Sequence, residues 1–334
     1  MSSLNLITDV AGIMVGHADD RDVISGVTAI LCERPNIASA ITRGGAPGTR
    51  DTALLDPEMT VQGVDGIVLS GGSVYGLDAA GGVLCHLRQK NIGLDVAAVR
   101  VPIVPQAITF DLLNGGKKDW GRTPLYWNMG YAAAKAAEGG RFQLGTAGGG
   151  YGATTANYKG GIGSASMRTA AGHTVGAIVV VNAIGSATIG DGPAFWAGPV
   201  EIDGEYGGVP FPAALSDKDR TMRMKGASPP STTIAIVATD ASLTKQEARR
   251  MAQMADDGLA RAIRPAHAPM DGDTVFAVAT QRRPLDRTGT ALTELGLSAA
   301  DCLARAIARG IFEATLPASP AYVGPPAYQQ VHSS

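Results

Sequence analysis

The chain has 334 residues, 28 Lys and Arg against 30 Asp and Glu, a formal net charge of -2 and 45% hydrophobic residues. That balance leaves no basic stripe for nucleic acid and no charged tail, and it supplies enough apolar material for a packed core. With no run of about 20 apolar residues to cross a bilayer and no basic-then-apolar leader, the sequence predicts a soluble cytoplasmic protein with no membrane role.

Cys32, Cys85 and Cys302 are far apart and odd in number, which argues against a disulfide framework and a zinc site and for small buried side chains. Glycine is abundant at 44 residues, while aromatics are only 5%, a composition suited to closely packed elements and tight turns.

Residues 10–42 read as strand-rich, with short apolar runs at 12–15 and 26–31. A loop follows at Arg43-Gly44-Gly45-Ala46-Pro47-Gly48-Thr49-Arg50. Gly66-Ile67-Val68-Leu69 reads as a buried strand ending at Ser70-Gly71-Gly72-Ser73, and Val74 to Leu87 as a small-residue helix, with another from Met129 to Ala137. After a glycine-dense stretch at 145–165, Thr174 to Val181 is strongly apolar and ends at Asn182. Residues 190–230 lack a regular pattern and read as a long exposed excursion closing on Lys225-Gly226-Ala227-Ser228-Pro229-Pro230, which suits neither helix nor central strand.

The pattern then changes. Thr233 to Thr239 reads as a buried strand, and Thr244 with Glu247 as a capping box before a helix. Thr274 to Ala279 is another strand, and Ala299 to Ala314 a final amphipathic helix. Strands apolar on both faces, beside helices with one small-residue face, predict a layered α/β architecture of two packed sheets with helices outside.

Four features can carry chemistry. At Ser231-Thr232-Thr233, hydroxyls sit between a Pro-rich loop and a core strand. A cut before Thr232 would set an α-amine beside its own hydroxyl, the N-terminal form of nucleophile and base; the plain alternative is an ordinary strand start. Asp271-Gly272-Asp273 puts two carboxylates at a strand mouth, for proton handling or simply as an Asp-Gly turn. Asn182 can donate to an oxyanion or just end a strand. Ser70-Gly71-Gly72 can turn N–H groups toward an anion but matches no phosphate-loop or dinucleotide spacing. His267, near the acid pair, is open to a supporting role. Ser70, Gly71, Gly72, Tyr151, Asn157 and Lys159 are candidates to line a substrate site.

Taken together, Asp9-Val10-Ala11-Gly12 with Val15-Gly16-His17-Ala18, the Arg43 to Thr49 loop, Leu69 to Ala80, Lys159-Gly160-Gly161-Ile162-Gly163-Ser164-Ala165-Ser166, Val180-Val181-Asn182-Ala183 and Thr232-Thr233-Ile234 with Val237-Ala238-Thr239-Asp240 resemble one family. It is that of the self-processing L-aminopeptidase/D-amidase-esterases, β-peptidyl aminopeptidases and nylon-oligomer hydrolases. The resemblance spans about Asp9 to Ala314. It implies an αββα four-layer sandwich of N-terminal-nucleophile type, and one domain, 1–334, cut into an α chain of 1–231 and a β chain of 232–334 that stay associated. It places autocleavage at Ser231–Thr232, the nucleophile on Thr232, the assisting pair on Asp271 and Asp273, and oxyanion support on Asn182. It implies no metal or other cofactor, small peptide or amide substrates, no nucleic-acid partner, and a homo-oligomer, a tetramer by resemblance. Two positions depart from the family pattern: Ser231 precedes the nucleophile, where Asn or Gly is usual, and Asn157 stands where nylon-oligomer hydrolases carry a catalytic Lys, with Lys159 two residues on. Acyl transfer to an amine, as in the ornithine acetyltransferases, and an uncleaved ligand-binding relative are the alternatives.

Overall fold

A strand that is apolar on both sides needs cover on both sides, and the strand opening at Thr232 is buried along its whole length. The structure, a computed structural model, describes residues 3–226 and 230–332. Its first half contains β1 (Ile13–Asp20), β2 (Ser25–Thr42), β3 (Thr49–Arg50), β4 (Gly63–Ser70), α1 (Ala79–Gln89), β5 (Leu94–Val96), β6 (Val99–Val101), β7 (Gln106–Ile108) and α2 (Tyr126–Lys135). The second half contains β8 (Gly161–Arg168), β9 (Thr174–Asn182), α3 (Asp217–Arg220), β10 (Thr232–Ala241), α4 (Lys245–Ala255), α5 (Asp257–Ala262), β11 (Thr274–Arg283), α6 (Ala291–Phe312) and α7 (Tyr328–His332).

The strands run in the order β3-β7-β4-β2-β11-β10-β9-β8, with β1 paired to β2. β2 joins two layers. Its Val27–Leu31 stretch pairs with β4, its register slips between Leu31 and Asn36, and its Ile37–Thr42 stretch pairs with β11. The two expected sheets are therefore two halves of one hydrogen-bonded network. They face each other across a core that holds Val15, Ile30, Ile67 and Leu69 from one half and Ile178, Val180, Ile234, Ile236 and Phe276 from the other. Because alternate residues point to opposite faces, Val179, Val181, Ala235, Val237 and Val275 turn outward onto α4, α5 and α6. On the far side, Val27, Ala29 and Val68 meet α1 and α2. Helix, sheet, sheet and helix layers follow in that order, as expected.

Some boundaries differ from the sequence reading. The Val74 to Leu87 stretch opens as a 3-10 turn, Ser73–Asp78, because Gly72 and Ser73 hold positive φ and bend the chain sharply before α1. Helix α6 begins at Ala291, well before Ala299. Gly296, which interrupts its apolar periodicity, is where Met254 of α4 packs, with Sδ 2.3 Å from where a Cβ would lie. The 190–230 stretch is poor in regular structure, yet it is not a free excursion: Phe195 and Tyr206 are buried, with ring centroids 5.4 Å apart, and Glu205 accepts from the buried Arg305 of α6. Ala227, Ser228 and Pro229 of the Pro-rich segment lie outside the described residues.

Helix α6 lies very close to β8. A Cβ on Gly163 would stand 1.8 Å from the Ala306 carbonyl oxygen and 2.6 Å from the Gly310 nitrogen, both backbone atoms. Gly163→Val is expected to lift α6 from the sheet and destabilise the chain by at least about 3 kcal/mol in urea denaturation. Gly139→Ala, at an exposed site with nothing within 4 Å, should stay within about 0.5 kcal/mol of the parent.

Candidate active site

β10 and β11 run parallel, with Ile234 in register with Thr274. That register lays the Asp271-Gly272-Asp273 turn alongside Ser231-Thr232-Thr233. Ser231 N–H donates to the Met270 carbonyl at 3.2 Å, Gly272 N–H to the Ser231 carbonyl at 3.0 Å, and Thr233 N–H to Asp273 Oδ1 at 2.7 Å. The Thr232 hydroxyl donates to the same Ser231 carbonyl. That oxygen is thus polarised from two sides, and both Ser231 and Thr232 are buried. On the other flank, Thr232 pairs with Asn182 of β9.

The Arg43 to Thr49 loop has a direct structural use. Arg43 N–H bonds the Asp273 carbonyl at 3.0 Å, and Ala46 N–H bonds the Asp271 carbonyl at 2.7 Å. Gly44 allows this contact, since a Cβ there would stand 2.3 Å from the Asp273 nitrogen. Gly272 is equally confined: its Cβ would stand 2.9 Å from Thr232 Oγ1 and 2.8 Å from the Ala46 carbonyl.

The two acids sit in different environments. Asp273 Oδ2 accepts from His267 N–H at 3.0 Å and Nδ1 at 2.9 Å, while His267 Nε2 lies 3.4 Å from Asp256. Burial alone would lower the imidazole, but the bonds and charges of Asp256 and Asp273 outweigh it and lift His267 to about 10. His267 is therefore a held cation near neutral pH, which supports Asp273 and is unsuited to act as a base. Asp271 accepts from Ala268 N–H at 3.0 Å through Oδ2, and its buried Oδ1 has no hydrogen-bond partner among the described residues. Burial, then the charge of Asp273, pushes Asp271 up to about 6. An acid with an unpaired oxygen and a pKa in that range can take and return a proton near neutral pH.

Asn182 Nδ2 donates to the Phe110 carbonyl at 2.9 Å, and Oδ1 accepts from Thr154 N–H at 3.0 Å, which fixes the amide orientation. Its second Nδ2 hydrogen has no acceptor among the described residues, and such a donor is chemically able to meet an oxyanion. Oδ1 and the Asn182 backbone carbonyl also accept from Lys225 Nζ, at 3.1 and 3.0 Å. Burial pulls Lys225 down to about 7 against the attraction of Asp271 and Asp111. Lys159, fully buried, bonds the Gly150 and Gly160 carbonyls at 3.0 and 2.7 Å, and burial brings it to about 7 as well. A cavity of about 120 Å³ is lined here by Asp111, Asn114, Thr154, Lys225, Pro230 and Val323.

The Ser70-Gly71-Gly72 turn does face an anion, but one belonging to the chain. Gly72 N–H donates to Asp111 Oδ1 at 2.8 Å, and Ser25 holds Oδ2 at 2.7 Å. Ser70 is tied to Gln106 at 2.8 Å. Asn157 bonds Thr188 at 2.8 Å and Ser186 at 3.0 Å, and the buried Tyr151 lies in the field of Asp19 and Arg21. The fold thus joins Ser231, Thr232, Asn182, Asp271 and Asp273 through paired strands, and carries Lys159 and the Ser70 to Gly72 turn nearby through Asp111. Lys225, Asp111, Asp256 and the Gly272 N–H went unread in the sequence. Asp111, an acid among Thr109, Phe110, Leu112 and Leu113, carried a weak signal; a single Lys in a Pro-rich loop carried none.

The model of Peptidase family S58 matches residues 5–320. An uncharacterized aminopeptidase of Mycobacterium tuberculosis is 41% identical, over 93% of this chain and 94% of its own. A 6-aminohexanoate-oligomer endohydrolase of Kocuria sp. is 27% identical over 84% of this chain and 76% of its own. Among solved structures, a Burkholderia sp. beta-aminopeptidase superposes with a TM-score of 0.71 at 23% identity, covering 99% of this chain and 93% of that one. The αββα layering, the strand-end site and these likenesses agree: the chain belongs to peptidase family S58 and is a hydrolase of peptide or amide bonds.

Proposed function

We propose that the chain cuts its own Ser231–Thr232 bond and that Thr232, then N-terminal, hydrolyses small amides: short peptides, β-peptides or amino-acid oligomers. The observation that carries this reading is the Thr232 hydroxyl bonded to the Ser231 carbonyl, with the Gly272 N–H on the same oxygen at 3.0 Å. In the cut, Oγ1 attacks the Ser231 carbonyl carbon while Asp271 takes the hydroxyl proton. The Gly272 N–H meets the charge that develops on the carbonyl oxygen. The C–N bond breaks, the Thr232 nitrogen leaves as an amine with that proton, and water hydrolyses the resulting ester. In turnover the same hydroxyl attacks a substrate carbonyl, with the freed α-amine or Asp271 as base, and water releases the acyl group. Asn182, through its remaining Nδ2 hydrogen, supports the oxyanion.

Association of the two fragments follows from strand order. β10 and β11, on the fragment 232–334, lie between β2 and β9 of the fragment 1–231. Their separation would break two ladders and expose both cores.

Thr232→Ala is expected to remain one uncut chain without amide hydrolysis, where the parent yields a fragment beginning Thr-Thr-Ile. An alanine variant that cuts itself at the parent rate would falsify the assignment, and a fragment beginning Ser-Thr-Thr moves the role to Ser231. Gly272→Ala, which presses a methyl on Thr232 Oγ1, should fold yet cut at least tenfold more slowly, a barrier increase of about 1.4 kcal/mol or more, followed by intact mass over time. For pH, the raised pKa of Asp271 means that its carboxylate is lost as pH falls through about 6. Self-cleavage should therefore slow roughly tenfold per pH unit below that point. Asp271→Asn should be slower throughout and lack this limb; an unchanged profile removes Asp271 as the base.

A further inference from the structure

Lys225 is a polar group at the site that the reaction above leaves unused. Its Nζ donates to the Asn182 carbonyl at 3.0 Å and to Asn182 Oδ1 at 3.1 Å, and among the described residues it forms no ion pair. The amine thus rests on two carbonyl-type oxygens of the residue opposite the nucleophile, at the rim of the cavity that Asp111 also lines. The tie at its own backbone is slight: Lys225 N–H bonds the Ile184 carbonyl at 2.9 Å, and its neighbour Gly226 is an exposed turn residue.

We propose that the carbonyl and Oδ1 of Asn182, backed by Asp111 and Asp271, form the subsite for the primary amine of the substrate's acyl part, and that Lys225 fills this subsite in the intact chain. The inference rests on the reading of Thr232 as nucleophile. Paired strands stand about 5 Å apart, so an amine on Asn182 lies within a short aminoacyl group's reach of a carbonyl at Thr232. The cavity of about 120 Å³ is sized for such a small group. Lys225 is a poor permanent tenant, because burial strips its ammonium of water and lowers it to about 7. A cut at Ser231 leaves Lys225 near the free end of the larger fragment, where a substrate amine can displace it. The order of events is then cut first, bind second: the amine subsite opens only once Lys225 can leave it.

The test uses the cleaved protein with alanine 4-nitroanilide, its N-acetylated form, and n-butylamine as inhibitor. Lys225→Met should lower KM for the free-amine substrate at least fivefold with kcat within twofold, leave the acetylated substrate as poor as before, and tighten butylamine inhibition at least fivefold. Unchanged KM and inhibition overturn the proposal, as does an equal fall of kcat on both substrates, which would place Lys225 in the reaction itself. A crystal structure of the cleaved parent grown with butylamine decides independently of any variant's folding. The amine nitrogen on both Asn182 oxygens with Lys225 displaced is the expected result, and Lys225 still on those oxygens overturns it. Thr232→Ala keeping full hydrolysis would remove the nucleophile reading alone, since the crystal result judges the amine subsite without turnover.

Discussion

The parallel pairing of β10 with β11 is the constraint on which the site depends. Parallel neighbours need a crossover, here α4 and α5, so the pair is assembled from chain ends about forty residues apart rather than by a hairpin. Its register alone decides that Gly272 N–H reaches the Ser231 carbonyl and that Asp273 reaches the Thr233 N–H. A slip of one residue would turn Thr232 from its present face to the opposite one and dissolve the cluster. The Arg43 to Ala46 loop clamps the same turn from the β2 side, so the strands on both flanks of β10 and β11 act on the position of Thr232.

Burial does the electrostatic sorting. Asp273 holds the His267 imidazolium with Asp256 behind it, while Asp271 Oδ1 has no hydrogen-bond partner among the described residues and burial lifts that acid to about 6. On the opposite side of β10, the amines of Lys159 and Lys225 are brought to about 7 by the same desolvation. Groups able to exchange a proton near neutral pH thus converge on one strand end, each shifted by loss of water and then trimmed by its neighbours.

The site also explains part of the glycine content. Glycines 44, 163 and 272 stand where backbone meets backbone or the Thr232 hydroxyl at distances no Cβ permits. Positions that look like flexible linker in composition are in fact close-contact points that bring loops and helices onto the two sheet halves.

Much of this was readable from the residues. Two-face apolar runs gave the strands of both cores, the Thr244 and Glu247 pair gave the start of α4, and the ordered motifs gave the family and the fold. These signals are local: they depend on periodicity, caps and short motifs within a few neighbours. The chain's division of labour among its buried charges was not local. That Asp271 Oδ1 has no hydrogen-bond partner among the described residues, that His267 is a fixed cation, that the Gly72 N–H is taken by Asp111, and that Lys225 lies on Asn182 all depend on segments far apart in sequence meeting in one dehydrated place. Only the tertiary structure decides those matters, because desolvation and hydrogen bonding act through space, while the sequence records only which groups are available.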